Sequence, residues 1–235
     1  MNIPDTTYDN PYAYQEGAFE EFLVSGRISK QVYLRSIIDM PATIVESLIR
    51  NVSGPLGFKL RAWFYKFRLR HLGKNVLIGI GVEFNGPKNI SIDDYTWIDS
   101  YTVINAQMGP ISFGKRIHVA QHCVFGSRAP IVLEDYVAVA AGTKVYSNSE
   151  RPSDGKRMSG PMVPRAQKAF YSAPIIFRKD SCVLVNSLIL PGVTIGYGAV
   201  VGASSVIKRD VPNWDIVVGN GQKIGTRDVV DVIDD

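Results

Sequence analysis

Residues 189–227 read ILPGVTIGYGAVVGASSVIKRDVPNWDIVVGNGQKIGTR, and a β-branched residue returns every six positions at Ile189, Ile195, Val201 and Ile207. Ala199 and Ser205 stand four places after two of these. A period of six matches neither an amphipathic helix, with its repeat near 3.6, nor a plain alternating strand. It fits a coil with three short faces, each placing one large residue inward and a small one at the next inward position.

The same phase extends backwards. Ile78 and Phe84 begin it, followed by Ile92, Ile98 and Ile104, then Phe113, Val119 and Phe125, then Leu133, Val139 and Val145. After a break it resumes at Phe177 and Val183. Four places on stand mostly small or β-branched residues: Val82, Thr96, Thr102, Cys123, Val137, Thr143, Ser181 and Ser187, with Met108 and Ile117 as larger exceptions. The phase slips at Phe84–Ile92, Ile104–Phe113 and Phe125–Leu133, so small insertions recur at one corner of successive coils. Stacked coils bury a continuous core and hide most strand edges. An irregular β-sandwich is the alternative, and so many phased positions argue against it. The expectation is a mainly β, parallel β-helix over residues 76–227, with an N-terminal helical segment, 1–75, and an acidic tail, 228–235.

The tail of the quoted stretch resembles the C-terminal signature of the hexapeptide-repeat acyltransferases, in their sugar O- and N-acetyltransferase branch. The likeness covers roughly residues 74–227. The family's signature ends in Gly-Asn-Pro-Ala-Lys, where this chain has Gly219-Asn220-Gly221-Gln222-Lys223. The resemblance implies a left-handed coil, against the usual crossover preference. It also implies a homotrimer, an acetyl-coenzyme A donor lying in the groove between coils, and a sugar acceptor destined for a surface polysaccharide. Backbone groups near Gly202, Ala203 and Ser204 would then meet the pantetheine arm. Lys208, Arg209 and Arg227 would meet the nucleotide phosphates by charge pairing.

The break itself, residues 146–176, reads YSNSERPSDGKRMSGPMVPRAQKAFYSAPII and is rich in Pro, Gly, Ser and basic residues. Long excursions from a rigid scaffold are often functional, and in the family an excursion here covers the active site. A histidine near its start usually serves as general base, worth about 10²–10⁴ in rate. Here Glu150 stands at that place, with Ser147, Asn148, Ser149 and Arg151 nearby. The histidines lie elsewhere, at His71, His118 and His122. Three readings stay open. Glu150 replaces the base; or Glu150 and Asn148 bind an amino sugar, whose neutral amine needs no base; or the chain is a catalytically silent assembly protein. Asn148 is singled out because VYSNSERP is similar to the Asn-containing segment of nucleotide-linked amino-sugar N-acetyltransferases that lack the histidine.

Composition bounds the rest. The chain has 235 residues, 46% hydrophobic and 20% charged, and a net charge of +4. That balance calls for no nucleic-acid partner. The polar, acidic start, Met1–Asn10, lacks the pattern of a secretory signal. The two cysteines, Cys123 and Cys182, give no metal spacing and no disulfide framework, so a reduced cytoplasmic setting is expected. Phe19, Phe22 and Leu23 share one helical stripe, Pro41 interrupts or restarts a second, and Ser53-Gly54-Pro55 is a breaker. Leu60, Trp63, Phe64 and Phe67 follow at helical spacing among cations. Two readings of residues 59–74 stay open: a cap over the solenoid's end, and a membrane-surface helix at the inner face of the membrane.

Overall fold

The computed structural model describes residues 10–158, 160 and 162–229. The expected features at Met1–Asp9 and at Asp231, Asp234 and Asp235 lie outside the described residues. Three helices come first: α1 (Ala13–Ser25), α2 (Lys30–Arg50) and α3 (Gly54–Arg68). A three-sided parallel β-solenoid follows. Its first strand, His71–Leu72, lies before residue 75 and pairs with the strand Ile90–Ile92.

Each coil contributes one short strand to each face. The first face stacks strands in the order His71–Leu72, Ile90–Ile92, Ile111–Phe113, Ile131–Leu133, Ile175–Phe177 and Thr194–Ile195. Register puts like residues above like. Ile92, Phe113, Leu133, Phe177 and Ile195 form one inward column. On the third face Phe84, Ile104, Phe125, Val145, Ile189 and Ile207 form another. All the large phased residues are buried. The first face also buries Ile90, Ile111, Ile131 and Ile175, two places before the phased residue, because its strands are three residues long. The six-residue count does not pick these out.

Several of the small inward residues have a polar task. Thr102 Oγ1 donates to Ala120 O at 3.1 Å, Thr143 Oγ1 to Leu184 O at 3.2 Å and Ser187 Oγ to Gly202 O at 3.0 Å. One corner is thus laced to the next coil by side chains short enough to turn back on the backbone, which satisfies buried polar groups at a bend. Met108 departs from the expected inward position. It sits in an inserted corner and is half-buried there, whereas Ile117 is fully buried. The slips before Ile90, Ile111 and Ile131 all fall at the corner between the third and first faces. The excursion after Tyr146 leaves from this corner too.

Helix α3 and the end of α2 close the N-terminal end. Phe64, Tyr65 and Leu69 of the α3 region join the core, and Tyr65 meets Phe84 edge-on at 4.7 Å between ring centres. Ser53-Gly54-Pro55 starts α3 rather than merely breaking the chain, with proline in the first turn, where its missing N–H costs nothing. Helix α2 runs through Pro41 without a break. Pro41 is exposed, so the carbonyl it leaves unpaired faces solvent. Arg61 is fully buried. Its Nε donates to Ile78 O at 2.7 Å and its Nη1 to Val52 O at 2.7 Å and Ile49 O at 3.3 Å, tying α3 to the end of α2 and to the first coil.

Candidate active site

The excursion begins at Ser147, which is fully buried. Its Oγ donates to Ala129 O at 2.7 Å and accepts from the backbone N–H groups of Arg128 and Ala129 at 2.9 and 3.0 Å. One hydroxyl therefore locks the start of the loop to the corner of the coil before it. The chain then forms a two-stranded antiparallel ribbon, Asn148–Glu150 with Phe170–Ser172, in which Asn148 opposes Ser172 and Glu150 opposes Phe170. Successive strand residues alternate in direction. Asn148 and Glu150 consequently share a side and line one cleft, while Ser149 between them is exposed.

This cleft has a volume of about 600 Å³. Its floor is the corner between the third and first faces, with Asn105, Gln107, Gly126 and Tyr146. Its walls are Arg128 of the corner above, the ribbon and returning loop, with Arg165, Lys168 and Phe170, and the residues of α1, with Gln15, Glu16, Phe19 and Glu20. The Arg128 guanidinium lies 5.1 Å from the Phe170 ring centre. A Cβ on Gly126 would stand 2.5 Å from Cδ1 of Tyr146, so glycine is what lets that ring lie against the floor. The cleft thus brings three carboxylates and four carboxamides together with three cations and three aromatic rings.

Among the described residues, none that lines the cleft is a histidine. His118 lies on the second face against Trp97, ring centres 5.0 Å apart, and His122 stacks on Tyr101 at 5.4 Å. His71 sits on the first strand, 4.0 Å from Asp93.

The six residues expected at the cofactor fall on three corners. Gly202, Ala203 and Ser204 turn between the second and third faces. Gly202 is buried: its N–H donates to Val217 O at 2.7 Å and its carbonyl accepts from Ser187. Its backbone is therefore engaged inside the solenoid, and Ala203 and Ser204 are the exposed members. Lys208 and Arg209 are exposed at the same edge as the excursion, two coils along, or about 10 Å at the usual strand spacing. Arg227 lies at the third corner, where Nη1 donates to Asp180 O at 3.0 Å and holds down the C-terminal strand. One chain alone does not bring these residues together. The participation of α1 in the cleft has no signal in the repeat, since α1 lies more than 100 residues away in sequence from Arg128.

A solenoid of six-residue repeats, interrupted at one edge by a polar excursion over a cleft, defines an acyltransferase scaffold. The chain belongs to the hexapeptide-repeat acyltransferases, the left-handed β-helix enzymes. It is similar to a dTDP-4-amino-4,6-dideoxy-D-glucose acyltransferase of Escherichia coli, at 31% identity over 64% of this chain and 78% of that protein. It is also similar to a variant of AntD, an N-acyltransferase from Bacillus cereus solved with dTDP and coenzyme A. That likeness has a TM-score of 0.67 at 28% identity and covers 77% of this chain and 92% of that one. A hexapeptide-repeat acetyltransferase of Vibrio cholerae shares the fold at 20% identity, TM-score 0.57, over 89% of this chain and 97% of that one. No family model matches the chain.

Proposed function

We propose that this protein transfers an acetyl group from acetyl-coenzyme A to the amino group of a nucleotide-linked amino sugar, in the assembly of a surface polysaccharide. The observation that carries this reading is the cleft that joins Asn148 and Glu150 to Arg128, Arg165 and Lys168. Polar acceptors suit the sugar, and cations suit a phosphorylated carrier. The amine lone pair attacks the thioester carbonyl, the C–S bond breaks, coenzyme A leaves as thiolate, and the ammonium proton passes to solvent or to that thiolate. A neutral amine needs no base for the attack, which fits a site whose lining lacks histidine. Glu150 and Asn148 then orient the sugar. The relatives' names and bound coenzyme A favour this over a silent assembly protein.

Release of free thiol from acetyl-coenzyme A is the test, with dTDP-4-amino-4,6-dideoxyglucose and a hydroxyl-bearing glycan as rival acceptors. Release with the amino sugar supports the reading. Release only with the glycan replaces it by O-acetylation, and no detectable coenzyme A binding at millimolar ligand sinks it. Glu150→Gln is expected to raise the acceptor KM about tenfold and to leave kcat within that factor, whereas loss of a general base would cut kcat by about 10²–10⁴.

The separation of Gly202–Ser204, Lys208–Arg209 and Arg227 on three corners supports a homotrimer, in which edges of neighbouring chains meet and complete the donor groove. Sedimentation equilibrium at three times the chain mass is the expected result. The division into helical cap, catalytic solenoid and acidic tail belongs to the same reading, with the solenoid beginning at His71 rather than after residue 75. Trp63 and Phe67 are exposed on α3 beside Lys59, Lys66 and Arg70, which supports contact of residues 59–74 with an anionic bilayer on the cytoplasmic side. Among the described residues no helix is long and apolar enough to cross a membrane. Flotation with anionic liposomes, lost in Trp63→Ser/Phe67→Ser, checks this; absence from lipid even at low salt refutes it.

A further inference from the structure

We propose that Arg128 and Arg165 form a seat for the phosphates of the acceptor, and that Glu16 of α1 occupies this seat until the acceptor displaces it. The inference rests on the acceptor being phosphorylated, as proposed above. Arg128 Nη2 stands 2.7 Å and Nη1 3.2 Å from Glu16 Oε1, and Arg165 Nη1 stands 3.0 Å from the same oxygen. Two guanidinium groups from separate segments, a corner of the solenoid and the excursion, thus converge on one carboxylate oxygen. Lys168 lines the same cleft. A single carboxylate under-fills such a seat, because a diphosphate offers more oxygens and more charge to planar, multidentate donors. Arg128 is held in place from behind: Phe170 lies against its guanidinium, and Ser147 accepts from its backbone N–H.

Helix α1 is built to leave. None of its residues is buried. Its contacts with the solenoid and excursion include several polar ones near the cleft: Gln107 Nε2 donates to Gln15 Oε1 at 3.0 Å, and Glu20 accepts from the backbone N–H of Arg165 at 3.0 Å. Gly26 ends the helix in the left-handed region, with φ 70°, its N–H donating to Phe22 O at 2.8 Å, so α1 and α2 are separate helices. Polar contacts exchange readily for contacts with water, unlike a buried apolar face. Release of Glu16 therefore costs little beyond the ion pairs that the incoming phosphates replace.

Calorimetric titration of the full-length chain with inorganic pyrophosphate and with thymidine diphosphate, at low ionic strength, tests the seat. Glu16→Gln is expected to bind both about fivefold or more tightly than the wild type, and Arg128→Gln about tenfold more weakly. The double variant should bind no more tightly than Arg128→Gln. Arg165→Gln provides a second probe should Arg128→Gln fail to fold. In the wild type, thymidine diphosphate should speed hydrogen exchange of the α1 amides. Equal or weaker binding by Glu16→Gln, or undiminished binding by the arginine variants, overturns the proposal. Acetyl transfer separates the two readings. Pyrophosphate binding of the stated pattern without transfer to any amino sugar keeps the seat and sinks the enzymatic reading, while transfer with Glu16→Gln indifferent sinks only the seat.

Discussion

Gly126 and Tyr146 show how one missing side chain shapes the cleft. The tyrosine ring lies where an alanine methyl would need to be, at 2.5 Å. Gly126→Ala should therefore turn the ring into the cleft and raise the acceptor KM, with the donor KM unchanged, as steady-state kinetics would reveal. Cys123 illustrates the opposite case, a reactive group made inert by burial. It is fully enclosed, and burial pushes its thiol up to about 11. At pH 8 its thiolate fraction is roughly 10⁻³, against about a fifth for a free thiol. Iodoacetamide at that pH should leave Cys123 unmodified in the folded chain, and peptide mass mapping would detect any exception. Glu150 and Asn148, which line the cleft, were both singled out from the family resemblance, Glu150 by standing where the family's histidine is expected. Arg128 was not singled out, because a basic residue at an inserted corner carries no mark until the fold brings Phe170 and Glu16 to it.

Among the elements, α3 does the most to join helices to solenoid. A buried guanidinium spanning the end of α2 and the first coil is an unusual hinge-pin. It also places positive charge at a helix C-terminus, where the carbonyls point. Arg61→Met keeps the volume and removes the donors, stranding the carbonyls of Val52 and Ile78. The expected loss is at least about 3 kcal/mol, since hydrogen bonds from charged donors contribute about 1.5–3 kcal/mol each. Urea unfolding would read this, and a loss below about 1 kcal/mol would show that water replaces the guanidinium. The helical character of residues 11–75 was visible from apolar spacing. Their division of labour was not, because Leu60, Trp63, Phe64 and Phe67 share similar chemistry. Only packing separates buried Phe64 from exposed Trp63 and Phe67.

For the molecule as a whole, buried acids set an alkaline limit. The Cys123 thiol moves from 9.0 up to about 11, and burial, with Glu46 alongside, raises the Tyr65 phenol above its usual 10.0. Both groups stay protonated in the folded chain at a pH where the unfolded chain ionises. Stability is thus intact below pH 9, falls as pH rises from there to about 11 through Cys123, and falls further above pH 10 through Tyr65. The thiol accounts for roughly 2–3 kcal/mol of that loss. Cys123→Ala should flatten the first part of the slope and Tyr65→Phe the second, in unfolding free energies measured across this range.

The amino-acid sequence by itself determined the coil. A side chain's inward or outward direction depends on local backbone geometry, so a six-residue period writes the three faces directly into the order of residues, and the recurrent slips mark the corner with the insertions. The family followed from the same stretch, Ile189–Arg227. Tertiary structure decided the site. It set α1 against the excursion, brought Glu16 to Arg128 and Arg165, enclosed Ser147, and spread the expected donor contacts over three corners. Those outcomes depend on how far apart segments pack, and contacts between residues distant in sequence leave no period for a reader to find.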